Sequence, residues 1–229
     1  MSENLKAKAA AEALKDVQSG MRLGIGTGST ANEMIKILAE KVANGLDIVG
    51  VPTSTASEQL CQELGVPLST LDETPELDLT IDGADEVDSQ LTLVKGGGGA
   101  LLREKMVAMA SKKMSVIVDE SKMVPHLGSF PLPIEVQKFG LAATRGALLN
   151  HFANSGVAGE LVLRQKNSTP YITDNGNYIL DAHLNVIHDP VKLASGMNDI
   201  PGVVEHGLFV NVASTVIIAA KDGIKRLEA

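Results

Sequence analysis

Apolar positions along the chain switch between two rhythms. From residue 4 to 18, Leu5, Ala9, Leu14 and Val17 fall near one face of a helix that Gly20 ends. Met21 to Ile25 then reads as a strand running into Gly24-Ile25-Gly26-Thr27-Gly28-Ser29-Thr30, after which Ile35, Leu38, Ala39 and Val42 recur at helical spacing. Thr30-Ala31-Asn32-Glu33 has the form of a capping box and predicts the helix start. The unit repeats: a strand over Asp47 to Val51, a second box at Thr55-Ala56-Ser57-Glu58, and a helical face of Leu60, Cys61 and Leu64 stopped by Gly65. Leu77, Leu79 and Ile81 alternate toward Asp82-Gly83-Ala84-Asp85, and Leu91 to Val94 forms a strand ending in Lys95 and four glycines. A helix marked by Leu102, Met106, Met109 and Ala110 precedes a strand over Ser115 to Val118. Strands alternating with helices imply a mostly parallel sheet covered on both faces.

The rhythm changes where Pro125, Pro131 and Pro133 crowd. Ile134 to Val136 reads as a strand, Leu141 to Phe152 as a helix and Leu161 to Leu163 as a strand. Tyr171 to Asp174 and Asn177 to Leu180 flank Asn175-Gly176, a hairpin signal. A helix over Val191 to Met197 and a strand over Val203 to Val210 complete a β-α-β-β-α-β order, that of a split βαβ module. Asn211 to Ala220 has buried-strand composition and is expected to rejoin the first sheet. The fold class is therefore α/β: a Rossmann-like, mostly parallel sheet domain over 1–127 and 203–229, and a smaller α+β, ferredoxin-like domain over 128–202.

Composition narrows the partners. The 229 residues carry 20 basic and 28 acidic side chains, a net charge of −8, with no Trp, two Tyr and four Phe. This balance opposes a broad phosphate-binding surface and leaves little for bases to stack on, which excludes nucleic acid. No run approaches a bilayer span and the first twenty residues build no signal core, so a cytosolic protein away from membranes is expected. The single cysteine, Cys61, makes no internal bridge.

Three unusual segments each follow a predicted strand, where ligands bind in open α/β sheets. The loop at 24–30 combines glycines with the hydroxyls of Thr27, Ser29 and Thr30 at a helix N-terminus, a setting for phosphate. Ser29 breaks the dinucleotide fingerprint and no Gly-Lys-Ser/Thr is present, which disfavours a nicotinamide-dependent dehydrogenase and a nucleotide P-loop. Asp82 and Asp85 face either solvent or a shared polar site. Lys95-Gly96-Gly97-Gly98-Gly99 is costly to order and packs nothing, which points to backbone close to a ligand. Glu104 lies in the helix after that run. Of the five histidines (His126, His151, His183, His188, His206) none shows metal-ligand spacing, and no nucleophile elbow occurs. Metal-free acid–base chemistry on a phosphorylated substrate remains, with no cofactor; a non-catalytic sugar-phosphate sensor is the rival, distinguishable by binding without turnover.

GIGTGSTA at 24–31, IDGADEVD at 81–88, KGGGGALLREK at 95–105, DESK at 119–122, FPLPIEV at 130–136 and TDNGNYILD at 173–181 together resemble type A ribose-5-phosphate isomerase over nearly the whole chain. The resemblance implies metal-independent interconversion of ribose 5-phosphate and ribulose 5-phosphate, in the pentose phosphate pathway, by a homodimer or homotetramer. Matched residue by residue, it implies Glu104 as the proton-transferring base and Asp82, Asp85 and Lys95 as further catalytic residues. It gives Thr27, Gly28, Ser29 and Thr30, the Asp82-Gly83-Ala84-Asp85 turn, Lys95, the backbone of Gly96, Gly97 and Gly98, and Lys122 as substrate contacts, with Lys6 as a phosphate ligand. Position 97 is Gly where some relatives carry Arg.

Overall fold

Strand and helix alternate from the first residues described, and this computed structural model describes residues 3–229. α1 spans Glu3–Ala13, β1 Met21–Ile25, α2 Ser29–Ala43, β2 Ile48–Pro52, α3 Thr55–Glu63 and β3 Leu79–Asp82. β4 (Glu86–Val87), β5 (Leu93–Val94), α4 (Leu101–Met109) and β6 (Met114–Asp119) follow, with a 3-10 turn over Glu120–Lys122. Next come β7 (Leu132–Val136), α5 (Leu141–Asn154), β8 (Glu160–Leu163), β9 (Gln165–Lys166), β10 (Thr169–Pro170) and β11 (Tyr178–His183). α6 (Pro190–Asn198), β12 (Val203–His206), β13 (Leu208–Phe209), β14 (Thr215–Ala220) and β15 (Gly223–Glu228) end the chain. No helix among the described residues is long and apolar enough to cross a membrane.

The elements divide into two units. The first gathers the chain up to Ala84, Arg103–Met123 and Asn211–Ala229; the second gathers Asp85–Leu102 and Val124–Val210. Compared with the seams expected near 127 and 203, residues 85–102 and 203–210 go with the second unit. The reason is strand pairing: β13 pairs with β5, and β12 pairs with β7.

The first unit is built on a six-stranded sheet of order β15-β14-β6-β3-β1-β2, parallel throughout except for β15. Every residue of β6 is buried and five of the six in β14 are, as the near-continuous Val and Ile content of a parallel strand covered on both faces requires. Leu23, Ile25, Ile35, Leu38, Ile81, Ile117 and Ile217 form the core with Ala9, Ala13, Leu14 and Val17 from the first helix and the turn after it. Each leucine, isoleucine or valine among them contributes about 1.5–3 kcal/mol by leaving water. The chain leaves β1 for β2 on one side and returns to β3 on the other. The strand order therefore reverses between β1 and β3, and in such sheets the crevice beyond the carboxyl ends of the strands at the reversal receives ligands.

The second unit carries a four-stranded antiparallel sheet of order β12-β7-β11-β8, with α5 and α6 completing β-α-β-β-α-β, as the spacing predicted. Ile134, Val136, Leu148, Phe152, Leu180 and Met197 fill its core. A second small sheet, β13-β5-β4, is also antiparallel. The strand predicted over Leu91 to Val94 thus belongs here rather than to the parallel sheet, and the glycine run follows an antiparallel strand.

Four local expectations are corrected. The Asn175-Gly176 turn forms, with Gly176 donating to Thr173 O at 2.9 Å, but no strand precedes it. The buried Glu135 Oε1 accepts from Thr173 Oγ1 at 2.9 Å and Asn177 Nδ2 at 2.9 Å, so these residues anchor a turn instead of a ladder. The short hairpin lies instead at β9–β10, where Asn167 and Ser168 both have positive φ. Neither capping box caps: Gly28 precedes α2 and Ser54 caps α3 by accepting from Ser57 N at 3.1 Å. Met106 and Met109 are exposed, and α4 buries Leu101, Glu104, Val107 and Ala108.

Candidate active site

At the carboxyl end of β1, within the first unit, Gly26 has no room for a side chain. A Cβ on Gly26 would lie 2.2 Å from Asp82 Oδ1 and 2.6 Å from Asp82 Cα, so glycine is required by space. Gly28, with φ of +100°, turns the chain into α2 and offers no side-chain cap. The first-turn N–H groups of α2 thus lack an acidic neighbour, and the positive end of the helix is left for an anion. Lys6 Nζ donates to Ser29 Oγ at 2.7 Å, which brings a cation from α1 onto the same loop. Thr30 is half-buried in the first turn.

Thr27 lies among the hydroxyls of three further residues. Its hydroxyl lies 2.7 Å from Thr53 Oγ1, 2.8 Å from Ser54 Oγ and 3.1 Å from Ser57 Oγ. Ser57 Oγ in turn donates to Gly26 O at 2.8 Å. Thr53, Ser54 and Ser57, all buried, were not among the candidate site residues read from sequence. Thr53 and Ser54 follow the end of β2, which pairs with β1, and Ser57 lies in the first turn of α3. Thr27 and the three hydroxyls around it fix the loop's shape.

Asp82 ends β3 at the same reversal point and is fully buried. Its Oδ1 accepts from Thr27 N at 3.0 Å and from Gly83 N at 2.7 Å. Glu104, on α4, is also buried. Lys122 lies half-buried in the turn after β6, which Asp119 caps by accepting from Ser121 N at 2.7 Å. Cys61 is buried, which pushes its thiol up to about 11 and leaves it no part as a nucleophile at neutral pH.

Within the second unit, Asp85 is half-buried and its Oδ2 accepts from Gly97 N at 2.8 Å. A Cβ on Gly97 would lie 2.6 Å from Asp85 Oδ1, so in this chain glycine at 97 lets the carboxylate approach. Lys95 is buried, its N–H bonded to Gly207 O at 2.8 Å and its Nζ 5.6 Å from the centre of the Phe209 ring. Gly96 and Gly99 have positive φ, and Gly97 and Gly98 are exposed. Ala84 closes the first unit, half-buried, immediately before Asp85. Tyr171, beside Gly99, has its phenol pushed up by burial and by the charge of Asp174.

The first unit thus offers an anion cradle, a carboxylate accepting backbone N–H groups and a buried glutamate; the second offers a carboxylate accepting a backbone N–H and a buried lysine. Residues 49–223 match the family model of ribose 5-phosphate isomerase A (phosphoriboisomerase A). The chain is 59% identical over 228 residues to ribose-5-phosphate isomerase A of Agrobacterium fabrum, covering 100% of this chain and 99% of that relative. It superposes with a TM-score of 0.92 on ribose 5-phosphate isomerase A from Methanocaldococcus jannaschii, at 40% identity over the whole of both chains. A D-ribose-5-phosphate isomerase in complex with phospho-erythronic acid matches with a TM-score of 0.90, 40% identity and 99% of each chain. Spacing, fold and relatives agree: the chain belongs to the ribose 5-phosphate isomerase A family.

Proposed function

We propose that the protein interconverts ribose 5-phosphate and ribulose 5-phosphate through a cis-enediol or enediolate. The observation that carries this reading is the burial of three ionisable side chains, Asp82, Lys95 and Glu104, at 0%, 2% and 4% exposure. Lys, Glu and Asp are rarely buried this deeply, because a charge removed from water is costly; the equally buried Glu86 and Glu135 anchor loops by accepting from Gly128 N and Phe130 N and from Thr173 and Asn177. Proton transfer to and from carbon needs such groups, shielded from bulk water and held in place.

The isomerisation moves a proton between C2 and C1, and one carboxylate close to both carbons takes and returns it; Glu104 has that role. Asp82 and Asp85 serve ring opening and the transfer of oxygen protons. Lys95, with nearby backbone N–H groups of the glycine run, meets the negative oxygen of the enediolate. Lys6, Ser29 and Thr30 at the start of α2 hold the phosphate, with Thr27 shaping the loop. Gly83, Ala84 and Lys122 complete the contacts. Remote phosphate binding then orients the reacting carbons. The reaction uses no metal or cofactor, and takes place in the cytosol in the non-oxidative pentose phosphate pathway, in a homo-oligomer of two or four chains.

The test is conversion of ribose 5-phosphate by the purified chain in chelator-containing buffer, made up in deuterated water. Ketose formation with deuterium at the exchanging carbon is expected. Binding without conversion would make the protein a sugar-phosphate sensor and overturn the reading.

A further inference from the structure

One guanidinium grips the carbonyl side of the glycine run. Arg164 follows β8, and its Nη1 donates to Gly96 O at 2.9 Å and to Gly97 O at 3.2 Å. Its Nε donates to Asp181 Oδ2 at 2.9 Å and its Nη2 to Asp181 Oδ1 at 2.5 Å. The two side chains are 15% and 18% exposed. A planar guanidinium held by both oxygens of one carboxylate keeps little rotational freedom, so the carbonyls it grips are held with it.

Peptide geometry transmits that grip to the other face of the loop. In a trans peptide the C=O and N–H point in opposite directions, and no cis peptide occurs among the described residues. Fixing Gly96 O therefore aims Gly97 N–H away from Arg164, and it meets Asp85 Oδ2 at 2.8 Å. Fixing Gly97 O likewise aims Gly98 N–H away from the guanidinium, at an exposed residue. Gly99 N turns back onto Gly96 O at 2.9 Å. Tyr171 closes the far end, its hydroxyl 3.5 Å from Gly98 O and filling the space in which a Gly99 Cβ would stand 2.4 Å away.

We propose that Arg164, held by Asp181, is a positioning residue for the isomerisation: it orients the peptides of residues 96 to 98 so that Gly98 N–H is presented to the oxygen that becomes negative in the enediolate. This rests on the isomerase reading above. An unanchored glycine run samples many conformations, so a donor on it would lose its aim at the moment charge develops.

The test compares wild type, Arg164→Met and Arg164→Lys. Steady-state kinetics with ribose 5-phosphate are measured alongside inhibition constants for phospho-erythronate, whose carboxylate sets two oxygens as an enediolate does, and for inorganic phosphate. Arg164→Met is expected to lower kcat/KM on the order of 10-fold to 100-fold, the usual cost of misplacing a reacting geometry. Phospho-erythronate affinity falls by a similar factor, inorganic phosphate affinity stays unchanged, and Arg164→Lys recovers part of the loss. A merely structural role predicts a smaller active fraction with KM and both inhibition constants unchanged, and that result overturns the proposal. Should Arg164→Met not fold, Arg164→Lys carries the test, since an ammonium keeps the charge beside Asp181 but cannot bridge two carbonyls and a carboxylate. A wild-type chain that fails to convert ribose 5-phosphate overturns the isomerase reading and this inference with it; wild-type conversion with an unaffected Arg164→Met overturns this inference alone.

Discussion

The main-chain N–H of Thr27 donates to Asp82 Oδ1 at 3.0 Å, so the loop after β1 and the carboxylate that ends β3 are parts of one hydrogen-bonded piece. Replacing Asp82 by Asn keeps an acceptor oxygen for Thr27 N and Gly83 N but removes the acid. Replacing it by Ala removes both. Asp82→Asn is therefore expected to lower kcat with KM changed by no more than about threefold, whereas Asp82→Ala also raises KM by roughly 10-fold, the worth of hydrogen bonds to a charged group. Equal KM values in the two variants would separate Asp82 from the loop.

Glu104→Gln preserves shape and removes the base. Turnover should fall on the order of 10²–10⁴-fold with the circular dichroism spectrum unchanged, the range for a positioned acid–base group. Near wild-type turnover would take Glu104 out of the mechanism.

Lys6 reaches Ser29 Oγ from another helix, and in the proposed mechanism it holds the phosphate. Lys6→Ala should raise KM roughly 10-fold and leave kcat within about twofold, and the difference from wild type should shrink at high salt, where an exposed cation is screened. A loss confined to kcat would place Lys6 elsewhere in the reaction.

Stability at low pH should carry the signature of Asp78. The Arg22 N–H and Lys112 Nζ, at 2.9 and 2.8 Å, hold its carboxyl well below the usual carboxylate range. In the folded chain the group stays ionised while the unfolded chain takes up a proton near pH 4, so the unfolded state binds more protons and stability rises with pH through that window. The stabilisation is complete above about pH 5 and fades as pH falls below about 4. Urea midpoints of wild type and Asp78→Asn should accordingly differ at neutral pH and converge in acid; a gap independent of pH would exclude Asp78 as its source.

The parallel sheet was legible because Leu23, Ile25, Ile81, Val116 and Ile217 sit in short apolar runs, and glycine marks where β1 ends. The split βαβ order of the second unit was legible for the same reason. Leu93 and Val94 misled: two apolar residues give no sign of whether the partner strand runs parallel or antiparallel, and their partners, Leu208 and Phe209, lie more than a hundred residues away. β15 was missed because Gly223-Ile-Lys-Arg-Leu-Glu228 is an exposed edge strand, whose polar side chains carry no burial pattern. For the proposed site, glycine spacing and charge pointed to the loop, Asp82, Asp85, Lys95 and Glu104. Arg164 and the hydroxyls of Thr53, Ser54 and Ser57 stayed hidden because an arginine or a serine in sequence shows no partner. Their roles come from pairings across distant segments.

The exchange of chain between the two units also sets an order of assembly during synthesis. All segments of the second unit have been made once Val210 is added, whereas the first unit still lacks β14, which pairs with β6, and β15, which pairs with β14. Until those strands arrive, β6 presents an unpaired parallel edge of Ser-Val-Ile-Val, the kind of edge to which other chains add. The unit begun first is thus the last to close, and the nascent chain is most vulnerable to mispairing just before its final hairpin is made.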